Sequence, residues 1–506
     1  MSARLWDKGQ APDAQVHSFT VGDDPHWDRR LAQWDCVGSA AQALTLRRAG
    51  LVSAAECDAL LAELGRIAAD ARAGRFEIPR ELEDCHTAIE ARLVQALGET
   101  GHKIHAGRSR NDQVATAIRL YLRDQAARWA ERLAMLIDTI VARIGRDGAV
   151  PMPGYTHLQP AMPSSVGLWL QAAAEALLEQ MHAIADLARR LDSCPLGTGA
   201  GFGCGLPLDR LYTAELLGFA RVQRSPIDVQ NSRGRMELYA ARVAVDIASA
   251  LEKPAWDMIL GMAPALGFFS LPEALTTGSS LMPQKRNPDV LELLRAQAGR
   301  LRGLLHEIEW ISGKLPSSYH RDLQLCKGPA IQACETVAEL LPVATRVFAE
   351  FQVHEDRLRA AMTDELYATQ AALDLVQAGV PFRQAYRQVA EQVRSGRFQP
   401  PAAAGAGAGA GWGPESTASR IASSSFPCFR LSARFSACWR ASKGRSSSSC
   451  RLRKVSRSEC WRPRSSISAG LMPSGISSPF GIRIGGRRGD MGLFLSVRRA
   501  PNHTRR

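Results

Sequence analysis

A chain of 506 residues with 45% hydrophobic side chains can bury a large core, and its length suggests roughly two to four domains. The net charge of +13 belongs to one end: from residue 396 onward there are 20 Lys and Arg against 3 acids, which leaves 43 basic and 47 acidic residues in the body. A mildly acidic body excludes phosphate-backbone binding as its chief task and leaves nucleic acid only a weak electrostatic contact through the tail.

Neither a signal-like N-terminus nor an apolar run approaching ~20 residues is present, so a cytoplasmic protein without a membrane span is expected. Seven of the 11 cysteines lie in the body, at Cys36, Cys57, Cys85, Cys194, Cys204, Cys326 and Cys334. Their irregular spacing, without a CxxC pair, suits reduced thiols in the cytosol and gives no metal-finger pattern.

Residues 1–107 read as an N-terminal helical domain, with helical spacing over 35–72 and 84–93 and almost no strand signal. The region 108–351 reads as a central bundle of long helices. Val114, Ile118, Leu122, Trp129, Leu133, Leu136, Ile140 and Ile144 mark one apolar face of the first. Further helices are predicted over 164–191, 236–260, 290–311 and 327–351. Helices this long keep apolar surface uncovered in one chain, which predicts association between subunits.

Residues 352–395 read as a small helical module with a turn at Val380-Pro381-Phe382. Beyond 396 the composition changes to alternating Gly and Ala, then to serine clusters with scattered Arg and no sustained period. Such a tail cannot build a core and is expected to be disordered. Because the helical module stops midway, a frame change or altered terminus accounts for it as well as a regulated basic tail does. The fold class is therefore all-α: an elongated long-helix bundle, smaller helical domains at both ends, and a disordered basic tail.

Four polar segments interrupt this body. Residues 276–289, Thr-Thr-Gly-Ser-Ser-Leu-Met-Pro-Gln-Lys-Arg-Asn-Pro-Asp, suit neither helix nor strand. A surface linker would explain the glycine and serines but not two cations set six and seven residues after Ser279. Asn287-Pro288-Asp289 predicts a helix start with Asn as N-cap and Pro in the first turn.

Gly107-Arg108-Ser109-Arg110-Asn111-Asp112-Gln113 is either an anion site at a helix N-terminus or a charged capping segment. Pro153-Gly154-Tyr155-Thr156-His157-Leu158-Gln159-Pro160 predicts a stiff loop, in which His157 is structural or catalytic. The fourth, Ser317 to Lys327, again precedes a helix and is either a solvated loop or a binding segment.

Together the four imply a substrate rich in carboxylates, with charge from Arg110, Lys285 and Lys327 and directional bonds from Asn111, Thr156, Tyr319 and Gln324. Neither a phosphate loop nor a metal-ligand cluster is evident, and the glycine-rich 199–205 segment lacks the preceding strand of a dinucleotide site.

Gly278-Ser279-Ser280-Leu281-Met282-Pro283-Gln284-Lys285-Arg286-Asn287-Pro288 resembles the signature of the fumarase/aspartase superfamily. Residues 105–113 and Gly154-Tyr155-Thr156-His157-Leu158-Gln159 are similar to the argininosuccinate lyase family within it, and the resemblance spans about 5–395.

It implies a three-part helical subunit, a homotetramer with sites shared between subunits, and cleavage of argininosuccinate to arginine and fumarate without cofactor or metal. By the same resemblance, Ser279 is the base, Lys285 stabilises the carbanion, and His157, hydrogen-bonded to Glu292, supplies the proton to the leaving nitrogen. Ser109, Arg110, Asn111, Thr156, Tyr319, Gln324 and Lys327 hold the substrate.

This chain departs from the family pattern at Gly22, at Ser232-Arg233-Gly234-Arg235 and at Leu325-Cys326, all on the amino-acid side of recognition. A lyase for another succinyl amine, such as adenylosuccinate lyase, and a catalytically impaired structural homologue are the alternatives.

Overall fold

The computed structural model describes residues 13–401, so the predicted disorder of the basic tail lies almost wholly outside the described residues. Five long helices carry the body: Arg110–Asp147, Val166–Leu191, Arg235–Met262, Asp289–Ser312 and Lys327–Glu350. The first has 38 residues, about 57 Å of helix at the standard rise. It packs along Val166–Leu191 and Lys327–Glu350, while Arg235–Met262 lies against Asp289–Ser312.

Trp129, Leu133, Leu136 and Ile140 are completely buried, so the apolar stripe read from the sequence is the seam of this bundle. Smaller helices, Ala32–Arg48, Ala54–Arg72 and Cys85–Leu97, pack together beside the start of the longest one. After it, Ala368–Gln377 and Phe382–Arg394 pair across a turn at Gly379, where φ is +94°.

Helix starts differ from expectation in two places. The longest helix begins at Arg110, four residues before the predicted Val114, because Ser109 and Asp112 form a capping box. The Asp289–Ser312 helix has Pro288, not Asn287, at its N-cap. Asn287 is engaged instead in closing the preceding loop: its backbone pairs with Thr277, and its side-chain amide donates to the Gly278 carbonyl at 3.3 Å.

The proline-flanked segment is not a simple loop. Pro151–Thr156 and Gln159–Ser165 pair antiparallel, with an irregularity between Gly154 and Tyr155, and His157 and Leu158 form the turn. Both turn residues have positive φ, +55° and +59°, the pattern of a tight hairpin turn that L residues adopt only under strain. The hairpin's base is fixed by the meeting of Gly148 and Gly167, where a Cβ on Gly167 would stand 2.8 Å from the Gly148 carbonyl oxygen. Two further strand pairs, Ser193–Cys194 with Arg221–Val222 and Phe269–Ser270 with Gln352–Val353, are short. Among the described residues, no helix is long and apolar enough to cross a membrane.

Candidate active site

Helix starts and connecting segments converge on one cleft of about 450 Å³, part of it open to solvent. Its lining includes Val21, Asp24, Glu83, Asp84, His86, Arg110, Asn111, Arg233, Tyr319, Arg321, Gln324 and Lys327. Five of the residues expected to hold substrate, Arg110, Asn111, Tyr319, Gln324 and Lys327, therefore share one cavity although more than 200 residues of chain separate the first pair from the rest.

Lys327, 3% exposed at the start of its helix, is the centre of this cleft's charge network. Its Nζ lies 2.6 Å from Asp28 Oδ1 and 2.9 Å from Asp24 Oδ1, and Asp28 also accepts the Cys85 N–H at 3.0 Å. Burial opposes ionisation of Asp28, but Lys327 and His86 more than offset it and hold the carboxyl below its ordinary range. At Asp24 burial wins against Lys327, and the pKa is pushed up to about 6. Burial also disfavours the Lys327 cation, yet the two carboxylates raise its pKa above the usual lysine value.

Arg110 is compensated as well, with Nη1 3.2 Å from Glu83, Nε 2.9 Å from Asp84 and Nη2 donating to Thr87 Oγ1 at 2.8 Å. Gln324 is held by the Thr20 and Val21 carbonyls, at 3.0 and 3.2 Å. Arg233 stacks over the Tyr319 ring at 4.7 Å and is 7% exposed, and its buried Nε has no hydrogen-bond partner. At the edge of the cleft, His86 Nδ1 donates to Asp35 Oδ1, 3.0 Å away, and is itself buried.

The segment read as an anion site divides its residues. Arg108 is buried and donates to Ser39, and Ser109 Oγ caps the helix by accepting the Asn111 N–H. Asp112 fills the place of an anion: its Oδ1 accepts the Ser109 N–H, and its Oδ2 accepts those of Gly197, Thr198 and Gly199 at 2.9–3.0 Å. Only Arg110 and Asn111 of this segment face the cleft.

Ser279, Lys285 and Glu292 lie elsewhere. The loop is closed at its base by two Thr277–Asn287 backbone bonds of 3.1 and 2.8 Å and by a bond from Thr277 Oγ1 to Asp289. Within it, the Leu281 and Met282 N–H groups donate to Ser279 Oγ at 3.2 and 3.1 Å. Two converging donors on a hydroxyl oxygen stabilise developing negative charge there. Lys285 and Glu292 are exposed, as are Thr156 and His157 at the hairpin tip. Among the described residues no hydrogen bond joins His157 to Glu292, nor either of them to the cleft. One chain thus carries three separate chemical surfaces: an ion-paired cleft, a serine loop and a histidine tip.

The sequence reading missed Asp24, Glu83, Asp84 and Arg321 as cleft residues. Asp24 and Asp28, one helical turn apart with a proline between, were the available signal. Of the three departures, Arg233 faces the cleft, whereas Gly22 caps the Ala14–Val21 helix and neither Leu325 nor Cys326 lines the cavity. Asp28, Cys85 and His86 bring possible metal ligands within 4.8 Å of one another, but Asp28 is already paired with Lys327, and burial pushes the Cys85 thiol up into its neutral form.

The model of the Lyase family matches residues 14–303, and the helical body, serine loop and cleft described above fall largely within that span. The protein is a lyase with the fumarase/aspartase fold. Solved structures support the fold: an EDDS lyase in complex with formate aligns with a TM-score of 0.64 at 24% identity, over 76% of this chain and 78% of that one. Recombinant class II fumarase from Schistosoma mansoni aligns with a TM-score of 0.66 at 16% identity, over 82% and 92%.

Closer in sequence, the argininosuccinate lyase of Sorangium cellulosum (strain So ce56) is 44% identical over 393 residues, covering 78% of this chain and 91% of the relative. That of Xanthomonas oryzae pv. oryzae (strain PXO99A) is 43% identical over 392 residues, covering 77% and 91%. The chain belongs to the argininosuccinate lyase family.

Proposed function

We propose that this lyase cleaves argininosuccinate to arginine and fumarate by base-catalysed elimination, in a cytoplasmic homotetramer serving arginine biosynthesis, with no cofactor. The observation that carries the chemistry is the pair of backbone N–H groups on Ser279 Oγ. A serine hydroxyl is too weak an acid to act as a base in water, so its anion needs such donors and a nearby cation.

In this reading the Ser279 alkoxide removes a proton from the carbon beside a substrate carboxylate, and Lys285 stabilises the doubly negative carboxylate that results. The electron pair then forms the double bond of fumarate as the carbon–nitrogen bond breaks. His157, oriented by Glu292, gives its proton to the departing guanidino nitrogen. Arg110, Asn111, Tyr319, Gln324 and Lys327 line the receiving cleft, and Ser109, at the cap of the helix that presents Asn111, and Thr156, from the hairpin, complete the substrate contacts.

Sharing of sites between subunits reconciles a catalytic role with the exposure of the serine loop and the histidine tip. Exposed apolar residues on the long helices, Met135, Trp256, Leu293 and Trp310, support assembly. The division into 1–107, 108–351, 352–395 and the tail 396–506 belongs to the same proposal.

Fumarate release from purified protein, given argininosuccinate and adenylosuccinate separately, tests the reading. Turnover of argininosuccinate is expected; turnover of adenylosuccinate alone would overturn the substrate assignment, and turnover of neither would make the chain an impaired homologue.

A further inference from the structure

The hairpin that carries Thr156 and His157 is poorly equipped to hold its own shape. Pro153 and Pro163 stand opposite each other, and Pro151 and Pro160 also lack an N–H, so much of the ladder has no donor. Two strands alone are marginal in water even with a full ladder. At the tip, His157 and Leu158 keep positive φ without a glycine, a conformation that persists only where the surroundings impose it. The contact of Gly148 with Gly167 lies at the other end of the strands.

Support along the strands comes from the C-terminal side of the chain. The Glu355–Ala360 helix packs on Pro151–Thr156, and the turn Asp364–Tyr367 packs on Gln159–Ser165. One face of the hairpin is accordingly covered: Pro153 is buried, Ala161 and Pro163 are partly buried, and Met162 between them is exposed. The helix is itself fixed to the bundle, because Leu358 belongs to the main apolar core and the His354 N–H donates to the Phe268 carbonyl at 2.9 Å. The turn is anchored differently. Its one buried side chain, Leu366, lies outside that core, as do Ala372, Ala385 and Val389, and the turn packs also on the Ala368–Gln377 helix. Leu366 therefore sits between the hairpin and a small core that the last helices build for themselves.

We propose that Leu366 is a positioning residue for His157, wedging the Asp364–Tyr367 turn against the Gln159–Ser165 strand so that the tip keeps one conformation. The inference rests on the lyase reading for the role of His157. It gives the C-terminal module a part in the reaction without assigning any of its residues to the substrate: a change that loosens this module reaches the proton donor through the turn.

Hydrogen exchange read by mass spectrometry on the full-length protein, with Leu366→Met, Leu366→Val and Leu366→Ala as a graded series, tests the proposal. In Leu366→Ala the amides of 151–165 should exchange about tenfold faster or more, while those of the 110–147 helix keep the wild-type rate. The kcat for fumarate release should fall roughly 10–100-fold, the scale of a misplaced reactive group, with a smaller change in KM. Leu366→Met should keep both readouts near wild type, and Leu366→Val reads the same coupling at smaller size should the alanine variant not fold. Unchanged exchange in the hairpin, faster exchange spread equally over the hairpin and the 110–147 helix, a loosened hairpin with wild-type kcat, or a loss carried by KM alone would each overturn the proposal.

Fumarate release by the wild type separates this from the lyase reading. A hairpin loosened by Leu366→Ala in a protein that releases no fumarate leaves the Leu366 buttress standing and refutes the lyase assignment. Release of fumarate by a wild type whose hairpin is indifferent to Leu366 does the reverse.

Discussion

At the scale of single residues, burying charge in the cleft costs stability. Asp24 has an ordinary carboxyl pKa of 3.8 when exposed and about 6 in the fold, because burial outweighs the pull of Lys327 and is reinforced by Asp28 and Asp84. The folded protein therefore binds this proton more tightly than the unfolded chain. The favourable contribution is complete below the unfolded value and is lost as pH rises through about 6. An upward shift of this size corresponds to about 3 kcal/mol lost by pH 8.

Asp24→Asn keeps an oxygen for Lys327 and leaves the Asp28 pair intact. It should raise the urea midpoint at pH 8 and give a clearly smaller gain at pH 5, and equal gains at the two values would rule out this origin. In the proposed mechanism Ser279 is the contrary case, a residue that the chemistry needs and packing does not. Ser279→Ala should lower kcat by roughly 10²–10⁴-fold, the usual range for a proton-transfer group. The thermal midpoint should stay unchanged, because Ser279 lies in a partly exposed loop.

At the scale of elements, two short contacts fix where the Arg110–Asn111 segment and the His157 tip stand. Asp112 joins the start of the 38-residue helix to the glycine-rich segment through three N–H groups on one oxygen. Asp112→Ala strands those donors and should cost about 3 kcal/mol or more in chemical unfolding. The Gly148–Gly167 contact sets the base of the hairpin whose tip carries His157. Gly167→Ala should cost about 1–3 kcal/mol as an overpacked site. It should also reduce fumarate release more than the stability change explains, because the tip is displaced; activity in proportion to folded protein would show that the hairpin tolerates the shift.

These elements were unequally legible. The long helices announced themselves because each holds a 3.6-residue period over more than 20 positions, and even internal Pro254 and Pro342 do not interrupt them. The hairpin was hidden because prolines 151, 153, 160 and 163 suppress strand signals, and because His157-Leu158 is not a glycine-bearing turn pair. Of the cleft, the cations and amides were readable from polar segments beside helix starts. The acids that answer them were not: Asp24 and Asp28 meet Lys327 across some 300 residues of sequence, and spacing carries no record of such a meeting.

At the scale of the molecule, the separation of cleft, serine loop and histidine tip makes a specific statement about assembly. If each site draws Ser279 from one subunit and His157 from another, no single chain needs both. Ser279→Ala and His157→Asn assemblies should each be nearly inactive, since each lacks one group at every such site. Mixed, dissociated and reassembled in equal amounts, they should recover about one working site in four, since random pairing in a symmetric oligomer joins an intact serine to an intact histidine with that frequency. A site built within one chain cannot be repaired this way, because every subunit remains defective. Fumarate release from the reassembled mixture, with native mass measurement to verify tetramers, decides between the two, and activity that stays at the level of the separate variants refutes shared sites. Trp310 and Leu293, exposed at 78% and 63% in the single chain, offer an independent handle on the same assembly. Leu293→Arg should shift the native mass toward smaller species and abolish activity in parallel, because burying an unpaired charge in a subunit interface is costly while the same change on a free surface is not.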